Sequence, residues 1–189
     1  MRRWTWRVSA LRTIARRARE SQSGSAAVEF AILAPVFLFL MFVIAQTALI
    51  FIAEQVMDNA VSDAARLIRT GQVQASGFSK QEFKDEVCRR MSVFVNCDGP
   101  DFYLDVRSYT NFSDMKLDKP VDKDDKFADE GQYSFGAPNE IVVVRAYYQM
   151  PTTSIFGGLS LKNMASGKRL IGTTAAFKNE PYAKTAGVS

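Results

Sequence analysis

Residues 30–53 read FAILAPVFLFLMFVIAQTALIFIA, and none of the twenty-four carries a charge. Wound as one helix they rise about 36 Å, which exceeds a hydrocarbon core of about 30 Å and allows some tilt. The run is too long for the apolar part of a cleaved secretory signal, which is roughly 7–15 residues. No small-x-small site followed by a polar mature start comes directly after it. The stretch is therefore read as a retained, membrane-spanning anchor.

Toward the N-terminus the anchor is preceded by Arg2, Arg3, Arg7, Arg12, Arg16, Arg17 and Arg19, against the single acid Glu20. The net charge of +4 thus originates in this segment rather than in the body of the chain. Basic residues ahead of a hydrophobic span mark the cytoplasmic side, which places the remainder across the membrane, in the periplasm of a bacterium. The anchor accounts for the arginines, so a nucleic-acid partner is not inferred. Trp4, Trp6, Val8, Leu11 and Ile14 suit an amphipathic helix lying on anionic lipid.

Toward the C-terminus the helix is expected to run on. In EQVMDNAVSDAARLIRTG, Met57, Ala60, Val61, Ala64 and Ile68 recur at helical spacing, opposite Asp58, Ser62, Asp63, Arg66 and Arg69. Gly71 is a natural stop, and Arg66 and Arg69 suit the negative end of the helix dipole. One helix over about residues 26–70 would be roughly 66 Å long. Pro35 removes one of its hydrogen bonds and should kink it.

GQVQASG then reads as a turn. Ser79 and Glu82 form a capping-box pattern that opens a helix over about residues 80–92, with Phe83, Val87, Met91 and Phe94 on one face. Three strands follow: Phe102–Tyr109, half-buried by its alternation, then Ile141–Met150 and Lys168–Phe177. The charged, breaker-rich segment between the first two strands reads as a surface loop. The fold class is α+β: a long transmembrane helix extending into a small domain with a short helix and an antiparallel sheet. The expected divisions are a basic leader 1–24, a span 25–53, an amphipathic extension 54–70 and a periplasmic domain 71–189.

Composition narrows the chemistry. Histidine is absent, which removes the commonest general base and metal ligand. No nucleophile stands beside an oriented base, and a non-catalytic chain without cofactor or metal is expected. Asp118, Asp122, Asp124, Asp125 and Asp129 invite a calcium reading, but Lys119, Lys123 and Lys126 interleave and the loop reads as solvated. Phe156-Gly157-Gly158 is a turn rather than a phosphate cradle. Cys88 and Cys97 lie beyond the anchor, where one disulfide closing a short loop is the preferred reading over two buried thiols.

The junction of tail and anchor carries the functional signal: Gly24-Ser25-Ala26-Ala27-Val28-Glu29-Phe30. Glu29 is a carboxylate at the edge of hydrocarbon, where charge is costly and usually partnered. It could also simply mark the interfacial start of the span. With AAVEFAILAPVFLFLMF, QVMDNAVSDAARLIRTGQ and the closing AAFKNEPY (Ala175–Tyr182), this junction resembles the TadE-like minor pseudopilins of tight-adherence, type IV pilin-like systems. The resemblance implies cleavage after Gly24 by a prepilin peptidase, which would free the Ser25 amine. It implies that Glu29 pairs with the new amine of a neighbouring subunit, with Phe30 beside it, and that Pro35 lets the helix bend during assembly. Its implied partners are other pilins, the Tad machinery and the lipid bilayer. The long domain after the anchor departs from the major pilin of such systems and favours an initiating, priming or tip role. The alternative expectation is an uncleaved, membrane-tethered periplasmic binding module.

Overall fold

A computed structural model describes residues 22–115, 120–127, 131–152 and 161–182, with the side chains of Gln22 and Ser23 left aside. The amphipathic reading of the arginine tail, Asp118, Lys119 and Asp129 of the acidic run, and the Phe156-Gly157-Gly158 turn lie outside these residues. The chain divides into two compact units, Met1–Ala48 and Leu49–Ser189, and helix α1 (Gln22–Arg69) contributes to both.

In the first unit α1 is apolar all round. Val28, Phe30, Ile32, Leu33, Val36 and Phe37 are each at least 60% exposed, as expected of a helix whose solvent is lipid rather than protein. Pro35 sits inside the helix, which continues through it. The carbonyl four residues earlier, on Ala31, goes without its usual donor.

In the second unit the same helix becomes one-sided. Ile50, Ala53, Met57, Ala60, Val61, Ala64 and Ile68 are buried, whereas Asp58, Ser62, Asp63, Arg66 and Arg69 are exposed. The buried series begins with Ile50 and Ala53, inside the uncharged stretch 30–53. Gly71 ends the helix with φ +77°, a left-handed conformation that suits glycine.

GQVQASG is a short helix, α2 (Gln72–Ser76), rather than a plain turn. Gly71 and Gly77 bracket it in left-handed conformations, and Val73 enters the core. Helix α3 (Lys80–Arg89) opens on the expected capping box. The Glu82 N–H donates to Ser79 Oγ at 3.2 Å, and the Ser79 N–H donates to Glu82 Oε2 at 2.8 Å. Phe83, Val87 and Met91 are buried, but Phe94 lies past the helix and is 38% exposed, because the helix ends at Arg89 instead of continuing to residue 92. Cys88 and Cys97 form a disulfide with a Cα–Cα distance of 6.0 Å, joining α3 to the segment that leads into the sheet.

The sheet has the order β1 (Phe102–Tyr109), β2 (Ile141–Pro151), β3 (Lys168–Lys178), all antiparallel. One face puts Leu104, Val106, Val142, Val144, Ala146 and Ile171 into the core shared with α1. The expected half-burial of β1 needs correction, since Phe102 through Val106 are all buried. The reason is the segment read as a surface loop, part of which covers the sheet's other face. Phe127 stacks on Tyr103 at 5.1 Å between ring centroids. The Val106 N–H donates to Gln132 O at 2.7 Å, and its carbonyl accepts from the Ser134 N–H at 2.8 Å.

Candidate functional site

The residues singled out at the junction lie on the first turns of α1. Gly24 and Ser25 are helical, and a Cβ placed on Gly24 would meet nothing within 4 Å. Ser25 Oγ donates to Glu29 Oε1 at 3.2 Å, one helical turn away. Both side chains are exposed, as is Phe30 at 72%. Glu29 is the one acid in α1 ahead of Glu54, so a lone carboxylate stands among the exposed Val28, Phe30, Ile32 and Leu33. Farther along, Thr47 Oγ1 donates to its own helix at Val43 O, 2.8 Å, so its donor is satisfied without a second helix.

This geometry has a chemical consequence for the peptide bond between Gly24 and Ser25. It is part of a helix, whereas a protease takes its substrate extended, so any cut there first unwinds the opening turn. Glycine lowers that cost by about 1 kcal/mol relative to alanine, and the first turn has few hydrogen bonds to lose. Were that bond cut, the Ser25 amine would start the helix with Glu29 four positions on, its carboxylate already accepting from the Ser25 hydroxyl.

One helix among the described residues, Gly24–Arg69, is long and apolar enough to cross a membrane. Residues 24–66 match the family described as TadE-like protein. The similarity spans most of helix α1 and less than half of the chain. The match begins on Gly24, includes Ser25, Glu29, Phe30 and Pro35, and extends through the amphipathic half whose apolar stripe fills the domain core. No curated protein and no solved structure matches the chain. The TadE-like family points to a Tad-pilus-associated protein, and the single apolar helix fits a membrane-anchored one.

In the second unit the closing segment AAFKNEPY folds back onto the end of the TadE-like helix. The Glu180 N–H donates to Arg69 O at 2.9 Å, and the Tyr182 ring lies against Gly71. Asn179 is buried, and its Nδ2 donates to Phe135 O and Ala137 O at 3.0 and 3.1 Å. The Arg69–Glu180 ion pair, 3.4 Å and about half exposed on each side, adds little.

Sequence reasoning missed a buried charge cluster on the far face of the sheet. Asp105, fully buried, accepts from Arg145 Nη2 at 2.6 Å, from Arg107 Nε at 2.9 Å and from the Gln132 N–H at 2.8 Å. Burial works to lower the pKa of both arginines, but the hydrogen bonds and charge of Asp105 outweigh it and leave both raised. Tyr133 nearby is held well above its ordinary pKa, by burial first and then by the Asp105 charge. The signal was present as opposite charges on the central positions of two strands that pair, Asp105↔Arg145 in the register.

Among the acids once considered for calcium, Asp122 Oδ1 accepts the N–H groups of Asp124 and Lys126 at 2.8 and 2.9 Å. Asp125 Oδ2 accepts the Ser166 N–H at 2.6 Å. Both carboxylates shape their loop. No group of three or more metal-ligating side chains occurs among the described residues.

Proposed function

We propose that the chain is a minor pseudopilin that takes part in initiating, priming or tipping a Tad-type pilus. It is made with its arginine tail in the cytoplasm and its α+β domain in the periplasm. A prepilin peptidase removes the leader after Gly24, and the Ser25 amine of one subunit meets Glu29 of a neighbour as the helices bundle in lipid. The domain serves assembly rather than catalysis. The observation that carries this reading is the Ser25–Glu29 pair at the mouth of an otherwise apolar helix, inside the TadE-like match that begins on Gly24. Glu29 has no opposite charge beside it among the described residues, and the liberated amine supplies one.

The test compares electrophoretic mobility of wild type and Gly24→Ala in cells that express a prepilin peptidase. Removal of the leader shifts the protein by about 2.6 kDa, at roughly 110 Da per residue over twenty-four residues. The expected result is a shift in the wild type that the substitution abolishes. Equal mobility, with the arginine tail intact on protein from piliated cells, would favour the uncleaved tether. Glu29→Ala is expected to insert and be processed normally while piliation falls; unchanged piliation would remove the pairing role.

A further inference from the structure

The two outer edges of the sheet are treated differently. On β1, the outward N–H and C=O of Val106 are taken by Gln132 and Ser134. On β3, the outward groups of Leu170 are taken by the Asn163 side chain, with Leu170 N–H to Asn163 Oδ1 at 2.7 Å and Asn163 Nδ2 to Leu170 O at 3.1 Å. Because backbone groups alternate sides along a strand, the outward-facing groups beyond Leu170 belong to Gly172, Thr174 and Ala176. The register agrees: Gln149, opposite Leu170, donates its N–H the other way, to Asp101 O. None of those three residues has a partner for its outward N–H or C=O among the described residues, and all three are exposed.

This open stretch, Gly172–Ala176, is small, uncharged and free of proline. Such edges are ordinarily blunted by charge, proline or a bulge. Here β3 pairs with β2 without interruption over its whole length. Beside the edge lies a groove of about 240 Å³ between β3 and α1, lined by Phe51, Glu54, Gln55, Asp58, Gly172 and Thr173. Thr173 Oγ1 donates to Asp58 Oδ1 at 2.7 Å, and Glu54, one turn earlier on α1, lines the same groove.

We infer that the β3 edge from Gly172 to Ala176 is a docking site for an extended strand of another protein. That strand pairs with the outward groups of Gly172, Thr174 and Ala176 and carries a cationic side chain opposite Thr173. A residue opposite Thr173 projects to the same side of the sheet as Thr173, toward the groove, where Glu54 and Asp58 receive the cation. A second copy of this chain fits worse. An antiparallel β3–β3 pair centred on Thr174 brings Ala175 opposite Thr173, which offers Glu54 nothing. It also sets Lys178 across from Leu170, next to Arg169 of the other copy. The inference holds whether or not the leader is removed.

The probe is a fluorescein-labelled, acetylated Thr-Val-Lys-Val-Thr-Val peptide, titrated onto the full chain in detergent micelles and followed by anisotropy. Binding is expected, with slowed amide exchange at Gly172, Thr174 and Ala176. N-methylation of the two valines flanking lysine removes the donors that face β3 and leaves the protein untouched. It should weaken binding by at least about tenfold, and lysine to glutamate by about tenfold. Thr174→Pro removes only an outward N–H at an edge position, which folded sheets tolerate, and should mimic the methylated probe. No binding, equal binding of the methylated peptide, or unprotected amides would overturn the proposal. So would a dimer of the full chain, seen by sedimentation, that Thr174→Pro abolishes, since that would assign the edge to a second copy.

Discussion

Substituting Gly71 by alanine tests how the closing segment secures the end of the long helix. Two costs are visible in the structure. Gly71 has φ +77°, and placing a non-glycine residue in the left-handed region costs about 1–2 kcal/mol. The new Cβ would also stand 2.5 Å from Tyr182 Cγ and 2.6 Å from Cδ1, so the ring has to leave its place. The hydrogen bonds of Tyr182 to Asn179 and Gly136 are long, 3.4 Å each, so most of the second cost is lost contact, on the order of 1 kcal/mol. Gly71→Ala should therefore destabilise the domain by about 2–3 kcal/mol. Tyr182→Ala alone should cost about 1 kcal/mol. In the double variant the clash is gone and only the backbone penalty and the lost ring remain. The two changes should then combine to about 1 kcal/mol less than their sum. Pulse proteolysis in urea on the full chain in micelles measures all four corners of this cycle. A Gly71→Ala variant within about 0.5 kcal/mol of wild type, or strictly additive effects, would refute the reasoning.

Asp105→Asn leaves Arg145 buried without its counter-charge and should cost about 3–5 kcal/mol, while adding Arg145→Met to it should restore much of the loss, both read by the same proteolysis assay. Removing the Cys88–Cys97 bridge with Cys88→Ser and Cys97→Ser together should lower stability by about 2–3 kcal/mol, and dithiothreitol should reproduce the shift in wild type but not in the variant. The Glu82 carboxyl is held below its ordinary value of 4.5, by the Ser79 backbone N–H first and its hydroxyl second. A depressed folded-state pKa means that this contribution is present above 4.5 and fades as pH falls through the lower folded value. Amide exchange in α3 should accordingly quicken below that pH in wild type, and Glu82→Gln should flatten the dependence.

Local signals were the most legible in the sequence. The apolar stripe Met57, Ala60, Val61, Ala64, Ile68 entered the core as its spacing required, because a helix face is fixed by a short-range period. Ser79 and Glu82 announced their cap, and the three strands lie where alternation and β-branched residues placed them. What was not legible depends on residues far apart in the chain. Burial of Asp105 requires a register between strands forty residues apart and a loop that supplies the Gln132 N–H. Phe127 and Tyr133 sit in a segment whose lysines and aspartates read as solvent-facing, and composition does not reveal which few of its side chains turn inward. Gly71 was recognised as a helix stop, but the aromatic ring that occupies its missing side chain comes from Tyr182. At the junction, the family resemblance suggested a processing signal, whereas the helical state of Gly24 and the Ser25–Glu29 contact needed coordinates.

The alanines of α1 set opposite rules for change within one helix. Ala53, Ala60, Ala64 and Ala65 are small side chains buried in the domain core, where a larger side chain would have to displace its neighbours. Among residues 28–44 most Leu, Phe, Ile and Val side chains are exposed, so the domain core places no demand on their shape. Divergent sequences should therefore drift in the span while holding their small residues in the extension, and the changeover falls near Ile50.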